Sequence, residues 1–240
     1  MFKYLAGAGL RRAAWLAAGV LASAVAHGER PDAAMVTSAR GDTSLMRESM
    51  LSSPVRMSSA VRSGDRLMTG DDGRLELRFS DSAMVSIGPG SVFKIESYRF
   101  DGDDQKGFFA LARGTIHTVS GAIGKRNQDD YRLTTPTAVL GIRGTEFSVE
   151  QVVCRNDNCA PGLKPGLAVA VIKGRVAVSN DAGTTEVPAG STIYLKDRGA
   201  VAVFTAGGEP KAPPAPRRAG PRAPRAPPAA PGGPATPRLF

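Results

Sequence analysis

Short strand-like runs separated by glycine, aspartate and proline fill residues 27–206, and they constrain the fold more than any other feature. The run "RLELRFS" alternates strictly, which places Leu75, Leu77 and Phe79 on one face and charged residues on the other. Turn residues recur about every 8 to 12 positions, as in sandwiches and barrels. No run after residue 26 sustains a helical period, although the irregular stretch 43–59 fits either a helical turn or a loop. We therefore expect an all-β domain.

Two patterns bear on how these strands are arranged. The pair Asp72-Gly73, in "TGDDG", predicts a tight hairpin turn. The segments "LARGTIHTV" (111–119) and "VIKGRVAVS" (171–179) share an order of apolar, basic, glycine and apolar residues at an offset of 60. Repeated units of this kind fit a single rolled β-sandwich or a short β-solenoid-like domain, and the pattern leaves both open.

The first 26 residues have the composition of an export signal. Lys3 and the pair Arg11-Arg12 precede 14 apolar and small residues at 13–26. A membrane span needs roughly 20 residues, so we expect cleavage before His27 and a periplasmic or secreted protein, with an uncleaved anchor as the alternative. The residues around Arg11-Arg12 do not favour the twin-arginine route, and ordinary secretion is the prediction.

The other end of the chain is rich in proline and arginine. Residues 207–240 hold 11 of the chain's 18 prolines, a content that excludes helix and sheet interior. Such a segment buries too little apolar surface to offset its ordering entropy, so we expect a disordered tail. It is suited to a soluble spacer, or to electrostatic contact with anionic envelope polymers or lipid headgroups.

The positive charge of the chain comes from its two ends. Of the formal net charge of +9, residues 1–26 carry +3 and residues 207–240 carry +5, which leaves +1 for residues 27–206. A nucleic-acid-binding domain carries its basic face on the domain itself. Together with the predicted export, this charge distribution excludes nucleic acid as the expected partner.

Few residues in the sequence are suited to metal binding or redox chemistry. Cys154 and Cys159 are the two cysteines, and in an exported protein such a pair predicts a disulfide that pins a hairpin tip. A structural zinc site needs four ligands, and His117 is the one histidine beyond His27. The run "DGDDQKG" (101–107) lacks the alternating ligands of a calcium loop and predicts a solvated hairpin turn. We expect no cofactor and no metal.

His117 is also the main candidate for a catalytic base. Ser120 follows it closely, but no nucleophile-elbow motif accompanies the pair. The lack of partners predicts a lone exposed strand histidine. We accordingly expect no catalytic residue and no enzyme activity.

The stretch "TPTAVLGIRGTEFSVE" (135–150) predicts a β-corner. A phosphate loop would continue into Lys-Ser/Thr and a helix, whereas this stretch continues into a strand. Pro136 forces an extended residue before it, and Gly141 and Gly144 permit a bulge or a close backbone approach. Thr145 and Phe147 are expected to face inward with Val149. Arg143 is expected to pack into or over the domain against a carboxylate or carbonyl group.

The same stretch resembles the signature of the FecR-type domain, which is named for the ferric citrate transport regulator. The signature is Thr-Pro, a few apolar residues, then Gly-Val/Ile-Arg-Gly-Thr and an alternating strand. The residues that match it are Thr135, Pro136, Gly141, Ile142, Arg143, Gly144, Thr145, Phe147 and Val149. The runs "SGDRLMTGDDGRLELRFSDSAMVSIGPGSVFKI" and "FFALARGTIHTV" resemble the earlier part of the family, so the likeness covers about residues 60–150.

The resemblance implies an extracytoplasmic β-domain without catalytic residues. Its best understood members are transmembrane anti-sigma regulators that sense a loaded outer-membrane transporter. No sigma-binding region precedes the hydrophobic segment in this sequence, so we do not expect that role here. We expect a stand-alone envelope sensory or protein-interaction module with an unidentified envelope protein partner. The alternative is a structural envelope protein tethered by its basic tail, and a hydrolase with an unrecognised carboxylate pair is the third hypothesis.

These expectations divide the chain into five parts. They are a signal peptide (1–26), an irregular or β N-terminal part of the domain (27–59), the FecR-like β-domain (60–150), a β extension of the same domain (151–206) and the disordered tail (207–240).

Overall fold

The computed structural model describes residues 32–47, 52–154, 159 and 164–205. The predicted signal peptide and the Pro-rich tail lie outside these residues. In chain order the elements are β1 (Asp32–Arg40), β2 (Thr43–Met46), β3 (Ser53–Pro54), β4 (Ala60–Arg62), β5 (Arg66–Thr69), β6 (Arg74–Phe79), β7 (Met84–Ile87), β8 (Val92–Asp101), β9 (Asp104–Val119), α1 (Ile123–Arg126), a 3-10 turn (Gln128–Asp130), β10 (Tyr131–Thr134), β11 (Val139–Val152), β12 (Gly166–Asn180), β13 (Gly183–Pro188), β14 (Thr192–Leu195) and β15 (Val203–Thr205).

The all-β prediction is confirmed. The strands form one open hydrogen-bonded sheet, in the order β15-β14-β12-β11-β10-β9-β7-β6-β1-β4, with β13 added to β12 and the group β8-β5-β2-β3 joined through β9. Among the strand pairs of the described chain, β10 and β9 run in parallel and the others are antiparallel. No helix in the described part of the chain combines the length and apolar character needed to cross a membrane.

The buried face of β6 is the one that its alternating sequence predicts. Leu75, Leu77 and Phe79 are 1 to 2% exposed, while the charged residues between them reach solvent. Burying a leucine or phenylalanine side chain contributes about 1.5 to 3 kcal/mol. These residues belong to a core that includes side chains from Ala33 to Leu195.

A chain of aromatic contacts shows that the sheet folds back on itself. The ring of Phe109, in the first half of β9, lies 5.3 Å from the ring of Phe79 on β6 and 5.3 Å from that of Tyr131 on β10. Tyr131 in turn lies 6.4 Å from Phe147 in the second half of β11. Tyr131 lies on a strand paired with those of Phe109 and Phe147, whereas Phe79 and Phe109 lie on strands that do not pair with each other, so the contact between these two rings shows that the sheet bends around its core.

Two local predictions differ from the structure. The turn at Asp72-Gly73 is tight, with the Gly73 N–H donating to the Gly70 carbonyl at 3.0 Å, but it joins β5 to β6, which do not pair with each other. It is therefore a crossing between layers and not a hairpin. The irregular stretch 43–59 forms β2 and β3 in its described part, and residues 48–51 lie outside the description.

The acidic run at 101–107 forms the predicted hairpin. Asp101 and Asp104 pair across the turn between β8 and β9, and Gly102 has a φ of +50°. The residues of the turn are exposed. A solvated turn explains the cluster of carboxylates without a bound cation.

Candidate functional site

Thr135 organises the turn at which the signature stretch begins. Its N–H and its hydroxyl both donate to the Ala138 carbonyl at 2.9 Å. Its hydroxyl oxygen also accepts from the N–H groups of Thr137 at 3.2 Å and Ala138 at 3.0 Å. Pro136 occupies the exposed tip of this turn, where the missing N–H leaves no buried partner unsatisfied.

The signature strand bends at Gly144. This residue has a φ of +61°, and the pairing of β11 with β12 shifts register between Arg143 and Glu146. The neighbouring strand bends at Gly174, which has a φ of +77°. A Cβ on Gly174 would overlap the carbonyl oxygen of Gly144 and lie 2.9 Å from Cγ2 of Thr145, so only glycine fits here. We call Gly144 and Gly174 the glycine corner.

The glycine corner is part of a repeat with an interval of 30 residues. Gly114 on β9, Gly144 on β11 and Gly174 on β12 all have positive φ, and a basic residue precedes each of them. The sequence pattern indicated the first and third units, 60 residues apart. The middle unit lies inside the signature stretch. Its apolar residues differ from those around Gly114 and Gly174, so the similarity is difficult to see in the sequence.

The inward residues of the signature form part of the core. Ile142 and Phe147 are fully buried, Thr145 is 3% exposed, and Val149 is fully buried. Their positions explain why this part of the motif is apolar. They leave the outward residues as the candidates for binding.

Gly141 lies in regular strand pairing, opposite Arg132 on β10 and Ala177 on β12. The expected bulge is therefore at Gly144 and not at Gly141. On the outer face Gly141 and Ala177 form part of a shallow depression that Arg132 and Ser179 also line. The absence of a side chain at Gly141 keeps this depression open.

Arg143 is exposed, which corrects the expectation that it packs against the domain. Its cross-strand neighbour is Arg175, so a like charge faces it on the adjacent strand. Arg175 pairs instead with Glu186 at 3.1 Å. Within the described chain, no carboxylate comes within ion-pair distance of Arg143. The signature arginine is thus available to a ligand.

Arg143 belongs to a larger group of cations around the glycine corner. We call this group the basic corner, and it consists of Lys125, Arg143, Lys173 and Arg175. The Lys125 Cγ lies 3.9 Å from the position of a Cβ on Gly144. Lys173 contacts Glu146 at 3.0 Å, and Glu186 is the second carboxylate. Exposed ion pairs contribute about 0 to 1 kcal/mol, so these cations can exchange their partners for those of a ligand.

His117 has partners that the sequence did not indicate. Its Nδ1 lies 2.9 Å from the Ser148 hydroxyl, and its Nε2 lies 3.7 Å from a carboxylate oxygen of Glu146. The prediction of a lone exposed histidine is therefore wrong, because β11 pairs beside β9 and brings both residues to it. The alternation of β11 places Glu146 and Ser148 on one face, which was the available signal.

The accessibility of these groups favours a structural role over catalysis. Ser148 is fully buried, although a nucleophile must be reached by its substrate. The side chain of His117 is 21% exposed. The hydroxyl and the imidazole satisfy each other's hydrogen-bonding capacity beneath the outer surface.

The predicted disulfide between Cys154 and Cys159 is confirmed, with a Cα–Cα distance of 4.8 Å. The disulfide closes a short loop that follows β11, and residues 155–158 of this loop lie outside the description. The residues that the structure describes contain no group of three or more His, Cys, Asp or Glu side chains suited to a metal ion.

Comparison with known proteins finds a family whose model matches part of the chain. Residues 65–177 match the model of the family described as FecR protein, an interval that includes the signature and the glycine corner and ends beyond residue 150. Two crystal structures of a "putative anti-sigma factor" from Parabacteroides distasonis are similar, each at 13% identity, with TM-scores of 0.44 and 0.43. The chain spans 58% of the length of each, and 58% of this chain is covered. No curated protein matches the sequence. Residues 65–177 are therefore similar to the FecR family of domains.

Proposed function

We propose that this protein is an exported, non-enzymatic sensory or protein-interaction module of the cell envelope. The observation that carries the proposal is the outward position of Arg143 within the signature of a FecR domain. The inward signature residues are explained by the core, whereas Arg143 is exposed. A charged residue in an otherwise buried motif is suited to recognition by a partner.

Export is supported by the disulfide and by the composition of residues 1–26. Disulfides persist in oxidising compartments such as the periplasm. The mature protein of this proposal begins at His27, continues as one β-domain to about residue 206 and ends in the tail. N-terminal sequencing of the purified envelope form tests the first boundary, and a mature protein that begins at Met1 contradicts it.

The absence of catalysis is also part of the proposal. Its support is the burial of Ser148 beside His117, the main candidate for a catalytic base. Binding, rather than turnover, is then the activity by which the domain acts. Its partner in this proposal is another envelope protein.

A structural role is the alternative, and the tail favours it. Residues 207–240 combine six basic residues with 11 prolines, a composition that suits an extended tether to anionic polymer or lipid. In that case localisation depends on the tail, and the FecR domain is a spacer.

Crosslinking in intact cells separates the two functions. The tagged full chain and a variant lacking residues 207–240 are crosslinked in the envelope and analysed by mass spectrometry. A protein partner that persists without the tail supports the interaction module. Loss of every crosslink with the tail contradicts it and supports the structural role. A full-length variant with the six basic tail residues changed to glutamine shows whether charge or length is responsible.

A further inference from the structure

One row of side chains crosses the outer face of the sheet and reaches the basic corner. The strand register places its members side by side on β1, β6, β7, β9, β11 and β12. In that order they are Met35, Arg78, Met84, Val119, Glu146 and Lys173. We call them the outer row.

The outer row contains exposed apolar side chains in adjacent positions. Met84 is 52% exposed and its cross-strand neighbour Val119 is 38% exposed, and Met35 is 55% exposed on the same row. The next row on this face is polar, with Ser86 beside His117. Arg78 separates Met35 from the other two, so Met84 and Val119 are the contiguous apolar pair, and an exposed apolar pair beside a charged group has the anatomy of an interface.

We propose that the outer row and the basic corner together bind one extended segment of a partner protein, in which apolar side chains are followed by acidic ones. The proposal rests on the proposed function and names the part of the FecR domain that carries it. The apolar side chains of the segment pack on Met84 and Val119. Its carboxylates bind Arg143 and Lys173, where charge complementarity fixes the direction of the segment.

The dimensions of the sheet set the length of this segment. Met84 and Lys173 are separated by three strand spacings of about 4.8 Å, or about 14 Å in total. An extended chain advances about 3.3 Å per residue, so about four or five residues cross this distance. Because alternate residues of an extended segment face the same side, two apolar and then two acidic positions need seven residues, which span about 20 Å and extend beyond this distance.

Charge excludes two other occupants. A lipid or polyphosphate surface would meet Glu146 and Glu186, which are interleaved with the cations and repel phosphate. The chain's own tail carries a net charge of +5, so the basic corner repels it. A peptide can place its carboxylates beside the cations and avoid both acidic residues.

Binding of labelled peptides to the full chain tests the proposal by fluorescence anisotropy. The probe is Leu-Ser-Leu-Ser-Glu-Ser-Glu, and the control peptides carry Lys in place of Glu or Ser in place of Leu. We expect the probe to bind and both controls to bind at least about tenfold more weakly. The double variant Arg143→Gln/Lys173→Gln should weaken probe binding about tenfold. Arg113→Gln, at the equivalent position before Gly114, should leave it unchanged.

Three outcomes of the binding experiment overturn the proposal. They are absence of probe binding, equal binding to the double variant, and stronger binding to phosphatidylglycerol vesicles than to the probe. Urea unfolding of the double variant is the control. If its free energy of unfolding is unchanged, a loss of probe binding is due to the removed charges and not to misfolding. Photo-crosslinking from position 119 and from position 203 in cells separates this proposal from the proposed function. A partner captured at 203 but not at 119 overturns the site alone, and no partner at either position overturns the function itself.

Discussion

Asp81 and Ile123 are 42 residues apart in the sequence, and the Asp81 carboxylate accepts the Ile123 N–H at 3.2 Å. Its other carboxylate oxygen accepts the Ala83 N–H at 3.0 Å, and its backbone carbonyl accepts the Ala122 N–H at 3.0 Å. Asp81 is 5% exposed. This one residue holds α1 against the turn between β6 and β7, and α1 carries Lys125 of the basic corner.

Replacing Asp81 should destabilise the domain more than replacing an exposed turn aspartate. Asp81→Ala removes two charge-assisted hydrogen bonds and leaves their N–H groups buried, so we expect the free energy of unfolding to fall by roughly 2 to 4 kcal/mol. Asp71 is exposed in the turn that precedes β6, and Asp71→Ala should change the free energy by less than about 0.5 kcal/mol. Urea unfolding of both variants measures the difference, and equal losses would contradict the role given to Asp81.

The glycine corner predicts a difference between two glycines with nearly the same φ. Gly174 and Gly190 have φ values of +77° and +79°, and nothing lies within 4 Å of a Cβ on Gly190. Gly190→Ala should therefore cost about 1 to 2 kcal/mol, the penalty of left-handed backbone. Gly174→Ala adds the overlap with the Gly144 carbonyl, and we expect at least about 2 kcal/mol more. Equal losses in urea unfolding would contradict the prediction, because they would mean that the two strands move apart at Gly144 and Gly174 at no cost in free energy.

Much of the local structure could be predicted from the sequence, because the alternation of apolar and polar residues within one strand is enough to show which side chains are buried. Leu75 and Leu77 are buried as their pattern requires, and so are Thr145 and Phe147. The hairpin at 101–107 was equally local. The two runs "TAVLGI" and "GTEFSVEQVV" form one strand, β11, because Gly144 bends the backbone without ending its pairing.

The relations that make up the site are not local, and the sequence could not provide them. His117 contacts Ser148 only because β9 and β11 are neighbours in the sheet. Neither strand's sequence shows which strand will lie beside it. The direction of Arg143 depends on the bend at Gly144, the residue that follows it. The spacing of basic-glycine pairs every 30 residues was the one accessible signal of the corner.

A buried ion pair near the N-terminal end of the described chain gives a further prediction. The Arg47 guanidinium donates to both carboxylate oxygens of Asp65, at 2.8 Å and 2.7 Å, and Asp65 is 1% exposed. Arg47→Met leaves the buried carboxylate with the Arg62 N–H, and we expect a loss of about 2 to 3 kcal/mol, since Arg47 itself is partly exposed. Arg99→Met, in an exposed pair with Asp104, should cost less than about 1 kcal/mol. Thermal unfolding that shifts equally in both variants would contradict the prediction.

Two buried tyrosines predict a loss of stability at alkaline pH. Burial raises the pKa of Tyr98 from 10.0 to about 12, although its hydrogen bond with Ser80 acts in the opposite direction. Burial also raises the pKa of Tyr131. Above pH 10 the unfolded chain releases phenolic protons that the folded chain retains, so stability present below pH 10 is lost as the pH rises toward 12. Tyr98 alone should account for about 2 kcal/mol of this loss. Urea unfolding between pH 9 and pH 12 should show a shallower decline in Tyr98→Phe and Tyr131→Phe than in the unmodified protein, and an unchanged decline in the double variant would refute the assignment.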